Sequence, residues 1–197
     1  MTPPTLTRAQ AVAIAKDHQL TDNVIVIGIR DHANKINVYD DTIAILTPAH
    51  CISYNANTDP SVSRPGVATL QPGVYNYKKG LHGIHHLTGS AEDQHILAQL
   101  YATGVDYPPI AGRILPYWAL RQDGPVMLLR GGQTAPEQDG WPSEPAWIDI
   151  HKGGYNTTSS LGCQTIFPDY WDGFRDMIFD AMRDYNQSTV KYCLVQG

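Results

Sequence analysis

The sequence predicts an α+β protein that is mainly β, with a mixed or antiparallel sheet, an N-terminal helix and a C-terminal helix. Short segments rich in β-branched residues recur along the chain, and turn signals such as Gln71-Pro72-Gly73 separate them. The clearest helical patterns lie near the two ends. Since 42% of the 197 residues are hydrophobic, the chain can bury the core of one domain spanning 1–197, built as a β-sandwich or a barrel.

Both terminal helices carry start signals. Thr7 and Gln10 form a capping box, and Leu6 can pack onto Ala11 as a hydrophobic staple. This helix is expected to run to about residue 18, with Val12, Ala13 and Ala15 facing inward. The C-terminal helix is predicted to begin at Pro168, which fits a first helical turn. Its expected buried face consists of Trp171, Phe174, Ile178 and Met182, at spacings of three and four.

Strands are predicted where β-branched and aromatic residues cluster. The expected segments are 24–29, 36–39, 42–46, 67–70, 74–77, 114–120, 126–129, 146–151 and 190–195. We expect 114–120 and 126–129 to pair as a hairpin, with Pro116 placing the first of them at a sheet edge. The remaining expected elements are a polar loop over 53–66, a glycine-rich loop over 131–145 and a helix over 91–101 that Ser90 would cap.

Charge and composition exclude several classes of function. The net charge of −5 argues against nucleic-acid binding, which needs clustered Lys and Arg. No stretch of roughly 18 apolar residues predicts membrane insertion, and the N-terminus lacks the pattern of a signal peptide. The three cysteines are too few and too widely spaced for a disulfide framework. We therefore expect synthesis in a reducing cytoplasm.

The strongest chemical signal lies in the segment IDIHKGGYNTTSSLGCQTI, residues 148–166. His151 ends a predicted strand, and Cys163 follows Gly162, which allows the backbone to turn sharply. A cysteine nucleophile needs a base and backbone amides that bind the oxyanion. We expect His151 to be the base, an imidazolium to lower the pKa of the thiol, and the amides of Gly162 and Cys163 to bind the oxyanion. The alternative is a buried, inert Cys163 and a surface His151.

The pattern H-x-G-G…S-x-G-C resembles the signature of the YkuD-type L,D-transpeptidase catalytic domain. His151 matches the base of that family, Ser160 its serine, Gly162 its glycine and Cys163 its nucleophile. The resemblance covers about 67–167, because the segment from Thr69 to Tyr75 is similar to an earlier family motif. The form HxGGxxTTxSxGCQT resembles a divergent branch associated with phage lysis proteins.

Two positions depart from the family pattern. Lys152 separates His151 from the glycines that follow it. Thr165 stands where the family has an arginine.

The resemblance implies a peptidoglycan-degrading cysteine peptidase of the phage endolysin type. In such an enzyme the Cys163 thiolate attacks a carbonyl of a stem peptide, and a thioester forms on the sulfur. Water would then make the enzyme a hydrolase, and an amine would make it a transpeptidase. We expect water, with the protein acting on bacterial peptidoglycan in the cell wall after release from the cytoplasm, and with no cofactor.

Further residues are candidates for substrate binding, and two other functions stay open. The proposed substrate-binding residues are His82, Lys152, Gly154 and Tyr155. In the first alternative, His82, His151 and Cys163 bind zinc in an amidase or peptidase. In the second, the chain is a non-catalytic module that binds the cell wall or belongs to a virion.

Overall fold

The structure is a computed structural model that describes residues 5–33 and 35–197. Its α-helices are α1 (Arg8–Asp17), α2 (Ala91–Thr103) and α3 (Pro168–Asp184). Its strands are β1 (Ile25–Arg30), β2 (Asp41–Leu46), β3 (Cys51–Asn57), β4 (Ala68–Leu70), β5 (Gly73–His82), β6 (Tyr117–Gln122), β7 (Met127–Arg130), β8 (Glu137–Gln138), β9 (Ile150–Lys152), β10 (Gln164–Ile166) and β11 (Thr189–Gln196). One turn of 3-10 helix covers Ile84–His86.

Eight strands close into a barrel in the order β1-β11-β5-β6-β9-β10-β3-β2. The β1–β11 and β9–β10 pairs are parallel, and the other neighbours are antiparallel, so the sheet is mixed. Strands β4, β7 and β8 form a small second sheet. The predicted α+β fold with mainly β structure and a helix near each end is therefore confirmed.

The helix signals of the sequence are largely confirmed. Thr7 and Gln10 form the capping box at the start of α1, and Ser90 caps α2 in the same way. The predicted apolar face of α3 is buried along its whole length. In α1 the predicted inward face was right at Ala15, which is buried together with Ala11, and wrong at Val12 and Ala13, which are exposed. No helix in the described part of the chain is long and apolar enough to cross a membrane.

Several strand predictions were wrong because pairing partners lie far apart in sequence. The expected hairpin does not form: β6 pairs with β5 and β9, whereas β7 pairs with β4 and β8. Pro116 therefore precedes a strand inside the barrel rather than marking an edge. Part of the expected polar loop, 53–66, belongs to β3, which hydrogen bonds to β2 on one side and β10 on the other.

Two other segments are less regular than expected. Residues 36–37 form a turn that continues into a bend at 38, because Asn37 adopts a left-handed backbone (φ 62°) and its side chain accepts a hydrogen bond from Thr158 N–H at 2.8 Å. The strand predicted over 146–151 shrinks to β9, since Trp147 also adopts a left-handed backbone (φ 52°), which interrupts extended structure. The glycine-rich segment 131–145 is a loop apart from β8.

A glycine in β1 makes room for an aromatic side chain in the barrel. A Cβ added to Gly28 would overlap the Tyr192 hydroxyl, whereas a Cβ added to Gly173 in α3 would meet no atom within 4 Å. We predict that Gly28→Ala lowers the free energy of unfolding by about 1–3 kcal/mol through overpacking. The matched control, Gly173→Ala, should raise it by about 0.5–1 kcal/mol, because alanine favours a helix. Urea unfolding measures both, and equal stability of the two variants would contradict the described packing.

Candidate active site

The parallel pair β9–β10 brings the two predicted catalytic residues to one place. Thr165 of β10 lies opposite His151 of β9. Cys163 immediately precedes β10, beside Asp149, whose carbonyl accepts a hydrogen bond from Gln164 N–H at 2.8 Å. Residues two apart on a strand share a face, so Asp149 and His151 form one row next to Cys163. The structure therefore joins the histidine and the cysteine at neighbouring backbone positions.

The Cys163 thiol itself is bonded to backbone groups. Its Sγ accepts a hydrogen bond from Asp149 N–H at 3.4 Å and donates one to the carbonyl of Trp147 at 3.4 Å. Among the described residues, no hydrogen bond joins Sγ to His151. The expected thiol–imidazole hydrogen bond is therefore not formed in this resting arrangement.

The surroundings of Cys163 keep its thiol protonated. Loss of solvent raises the pKa of Cys163 to about 12, and the negative charge of Asp149 is the second cause. The Asp149 N–H and the Arg121 guanidinium act in the opposite direction but are outweighed. The prediction of a lowered thiol pKa was therefore wrong, because burial raises the pKa of Cys163 and the charged group that adds to the rise is the Asp149 carboxylate. Attack by this sulfur needs a base that removes its proton during the reaction.

His151 is held as a neutral imidazole. Its Nδ1 lies 2.7 Å from the Lys152 carbonyl oxygen, and since a carbonyl only accepts, Nδ1 carries the proton and Nε2 has the free lone pair. Burial, followed by the neighbouring His82, lowers the pKa of His151 to about 3. The hydroxyl of Tyr117 lies 3.4 Å from the same Nδ1. In this tautomer Nε2 is the nitrogen that can accept a proton.

A second histidine stacks on the first. The rings of His82 and His151 lie 4.2 Å apart between centroids and 15° from parallel. His82 Nδ1 lies 3.0 Å from an oxygen of Asp149, and Arg121 Nη1 lies 3.0 Å from the same oxygen. The buried Asp149 also accepts a hydrogen bond from Gln122 N–H at 3.2 Å. This carboxylate therefore orients His82 and links it to the strand beside the thiol.

Only some members of this group could be predicted from the sequence. His82 was expected as a substrate-binding residue, and the structure places it directly in the site. Asp149 lies two residues before His151 and so shares its strand face, which is the local signal that points to it. Tyr117 and Arg121 have no such signal, because only the β5–β6–β9 order of the barrel brings β6 to the site.

Ser160 holds the turn that carries Cys163. Its Oγ accepts a hydrogen bond from Gly162 N–H at 2.9 Å and donates one to the Cys163 carbonyl at 2.6 Å, and the residue is buried. Gly162 has φ +139°, and an added Cβ would lie 2.8 Å from the carbonyl oxygen of Ala68. The predicted catalytic residues Ser160 and Gly162 thus shape the turn.

The same turn limits which amides can bind an oxyanion. The prediction that Gly162 N–H would be available was wrong, because it already donates to Ser160 Oγ. The N–H of Cys163 has no acceptor among the hydrogen bonds of the described residues. Of the two amides expected to bind an oxyanion, that of Cys163 therefore remains available.

The other predicted substrate-binding residues, Lys152, Gly154 and Tyr155, lie at and after the end of β9. Lys152 has an exposed side chain, and its carbonyl binds the candidate base. The carbonyl of Gly154 accepts a hydrogen bond from the Tyr39 hydroxyl at 2.8 Å. Tyr155 is 70% exposed, and its hydroxyl donates to Asp169 at 2.5 Å. Of the three, Lys152 adjoins the histidine pair, whereas Gly154 and Tyr155 have partners of their own in the loop and in α3.

Exposed aromatic surface flanks the thiol. Trp147, whose carbonyl accepts the thiol hydrogen bond, is 49% exposed. Its ring meets Trp141 edge-on at 6.3 Å, and the Arg121 guanidinium carbon lies 4.6 Å from its centroid. Leu161, two residues before Cys163, is 62% exposed. This surface can contact the apolar parts of a substrate.

The alternative zinc site is not formed. In residues 5–33 and 35–197, no group of three His, Cys, Asp or Glu side chains is arranged to hold a metal ion. His82 and His151 stack face to face, and Nδ1 of each ring is already bonded.

Comparison of the chain with protein-family models, curated protein sequences and solved structures finds no match.

The charge of Asp149 predicts how the thiol reacts. Since thiolate is the reactive form, the raised pKa should make alkylation of Cys163 by iodoacetamide slow at neutral pH and faster up to at least pH 10. Asp149→Asn removes a cause of that rise, so the pKa should fall and alkylation at pH 9 should speed up by roughly three- to tenfold. Peptide mass mapping separates Cys163 from the other cysteines.

The control for this experiment is Asp169→Asn, which removes an exposed carboxylate that does not act on the thiol. It should leave the rate at Cys163 unchanged. A slower or unchanged rate in Asp149→Asn would contradict the electrostatic account.

Proposed function

We propose that this protein is a peptidoglycan-degrading cysteine peptidase of the phage endolysin type, with Cys163 as nucleophile and His151 as base and acid. The observation that carries the proposal is that the β9–β10 pair brings a thiol and a neutral imidazole to neighbouring backbone positions, next to a Cys163 N–H that has no acceptor among the described residues. Peptidoglycan as substrate is supported by the resemblance of the His151–Cys163 segment to the YkuD-type motif.

The first half of the reaction forms a thioester. As the sulfur of Cys163 attacks the carbonyl carbon at an L-centre of a stem peptide, Nε2 of His151 takes the thiol proton. The carbonyl oxygen becomes an oxyanion, which the N–H of Cys163 stabilises. The C–N bond then breaks, and the imidazolium gives its proton to the leaving amine.

The second half releases the enzyme. Water attacks the thioester carbon while His151 accepts one of its protons, and the C–S bond breaks as the sulfur regains that proton. A carboxylic acid and the free thiol result. If an amine replaces water, the same steps form a new amide bond, so hydrolysis and transpeptidation share one intermediate.

Two features of the resting site support a step that depends on substrate. The thiol proton points to the Trp147 carbonyl, so the side chain must rotate toward Nε2 before attack. The positive charge that forms on His151 lies against the His82 ring, and burial, His82 and the Arg121 charge all disfavour it in the resting site. We therefore expect proton transfer to His151 to accompany attack on a bound carbonyl rather than to precede it.

Loss of the sulfur tests the nucleophile. Cys163→Ala should abolish release of fragments from purified sacculi, lowering the rate at least about 100-fold. Cys51→Ala changes the same residue type away from the site and should retain activity. Mass spectrometry of the digest measures the rate and names the bond that is cleaved. An active Cys163→Ala protein, or sacculi left intact by the wild type, would refute the proposal.

Loss of the imidazole tests the base. We predict that His151→Ala lowers the rate by about 10²–10⁴-fold, the usual contribution of a positioned acid–base group. His50→Ala, at an exposed position after β2, should leave the rate unchanged. Addition of a chelator should also have no effect, since no step requires a metal. Activity that a chelator abolishes and Zn²⁺ restores would favour the alternative chemistry.

A further inference from the structure

Gln164, the residue after the nucleophile, points into the barrel. It is fully buried, and both ends of its amide are bonded. Oε1 accepts a hydrogen bond from the Tyr192 hydroxyl at 3.0 Å, and Nε2 donates one to the carbonyl of Gly162 at 3.1 Å. One side chain thus connects the barrel interior to the turn that carries Cys163.

The carbonyl oxygen that Gln164 binds belongs to the peptide group between Gly162 and Cys163. The carbonyl of Gly162 and the N–H of Cys163 are parts of the same planar peptide unit, and in a trans peptide they point in opposite directions. A carbonyl held toward the barrel interior therefore turns the N–H of Cys163 away from the interior. Gly162 N–H is already bonded to Ser160, so this is the amide of the turn that remains for an oxyanion.

We propose that Gln164 is a positioning residue that aims the oxyanion-binding N–H of Cys163 by holding the opposite end of its peptide group. This inference rests on the proposed role of Cys163 as nucleophile. Gln164 does not touch the substrate, and its effect is on stabilisation of the tetrahedral intermediate rather than on the reactivity of the sulfur.

Tyr192 supports Gln164 from β11. Its hydroxyl occupies the space left by Gly28 and donates to Oε1, which fixes the orientation of the amide. Tyr77 packs edge-on against Tyr192 at 5.6 Å between centroids and is equally buried, but its hydroxyl has no hydrogen-bond partner among the described residues. Of these two adjacent tyrosines, Tyr192 therefore hydrogen bonds to Gln164 and Tyr77 does not.

The test compares two reactions of Cys163 that differ in the need for an oxyanion site. Acylation by p-nitrophenyl acetate passes through a tetrahedral oxyanion, whereas alkylation by iodoacetamide does not. Both are followed at pH 9 by mass mapping of the Cys163 peptide, with Cys163→Ala as background. Gln164→Met keeps the length of the side chain but removes its donor. It should lower acylation by about 10- to 100-fold, less than full loss of an oxyanion donor, and leave alkylation unchanged.

Two tyrosine variants, Tyr192→Phe and Tyr77→Phe, test the same role while leaving Gln164 in place. Tyr192→Phe should lower acylation relative to alkylation by a smaller factor, because Gln164 keeps its bond to Gly162 but loses its anchor. Tyr77→Phe should change neither rate. Circular dichroism and urea unfolding verify that each variant is folded. If Gln164→Met does not fold, the ratio of acylation to alkylation in Tyr192→Phe decides whether the positioning role stands: a ratio below that of the wild type supports it, and an unchanged ratio overturns it.

The outcomes separate the two proposals. One outcome overturns the positioning role while the nucleophile stands. In that outcome wild-type Cys163 is acylated, and the ratio of acylation to alkylation in Gln164→Met and in Tyr192→Phe equals the wild-type ratio. If wild-type Cys163 is alkylated but never acylated, both proposals fail. A selective loss of acylation in both variants, with no change in Tyr77→Phe, supports the inference.

Discussion

The parallel pairing of β9 with β10 is the constraint on which the site depends. It is a short ladder, only three residues on each strand, yet it places Cys163 beside Asp149 and brings His151 into the same row. Parallel neighbours cannot be joined by a tight turn, so the connection from 153 to 163 must leave the sheet and return. Its glycines and its internal hydrogen bonds make that return possible, and Ser160 and Gln164 fix where it ends.

The folded chain keeps both the Cys163 thiol and the His151 imidazole uncharged at neutral pH. A thiol with a raised pKa beside an imidazole with a lowered pKa keeps both groups neutral. Both shifts have burial as their largest cause, and the charge of Asp149 adds to the first. A preformed thiolate–imidazolium pair would instead make the sulfur reactive toward any small electrophile. In the proposed reaction, the free-energy cost of charge separation therefore falls in the step where substrate is bound and the oxyanion can be stabilised.

The sequence predicted the elements whose signals are local. The caps of α1 and α2 and the apolar face of α3 follow from side chains a few residues apart, and all three helices formed where expected. The β6–β7 hairpin failed because adjacency in sequence does not decide which strands pair in a closed barrel. His151 and Cys163 could be found from one motif. Arg121 and Tyr117 could not, and neither could the direction of the thiol pKa shift, because that shift depends first on how deeply the folded barrel buries Cys163.

The most direct test of the account is the capture of the covalent intermediate. A synthetic stem peptide with an L-centre next to a D-residue is mixed with the protein, the reaction is quenched with acid within seconds, and the intact protein is weighed by mass spectrometry. The account predicts an added mass equal to the acyl part of the peptide, located on Cys163 and removed by hydroxylamine, as expected for a thioester. Cleavage of the peptide with no adduct on Cys163 at any quench time, together with full turnover in Cys163→Ala, would contradict it.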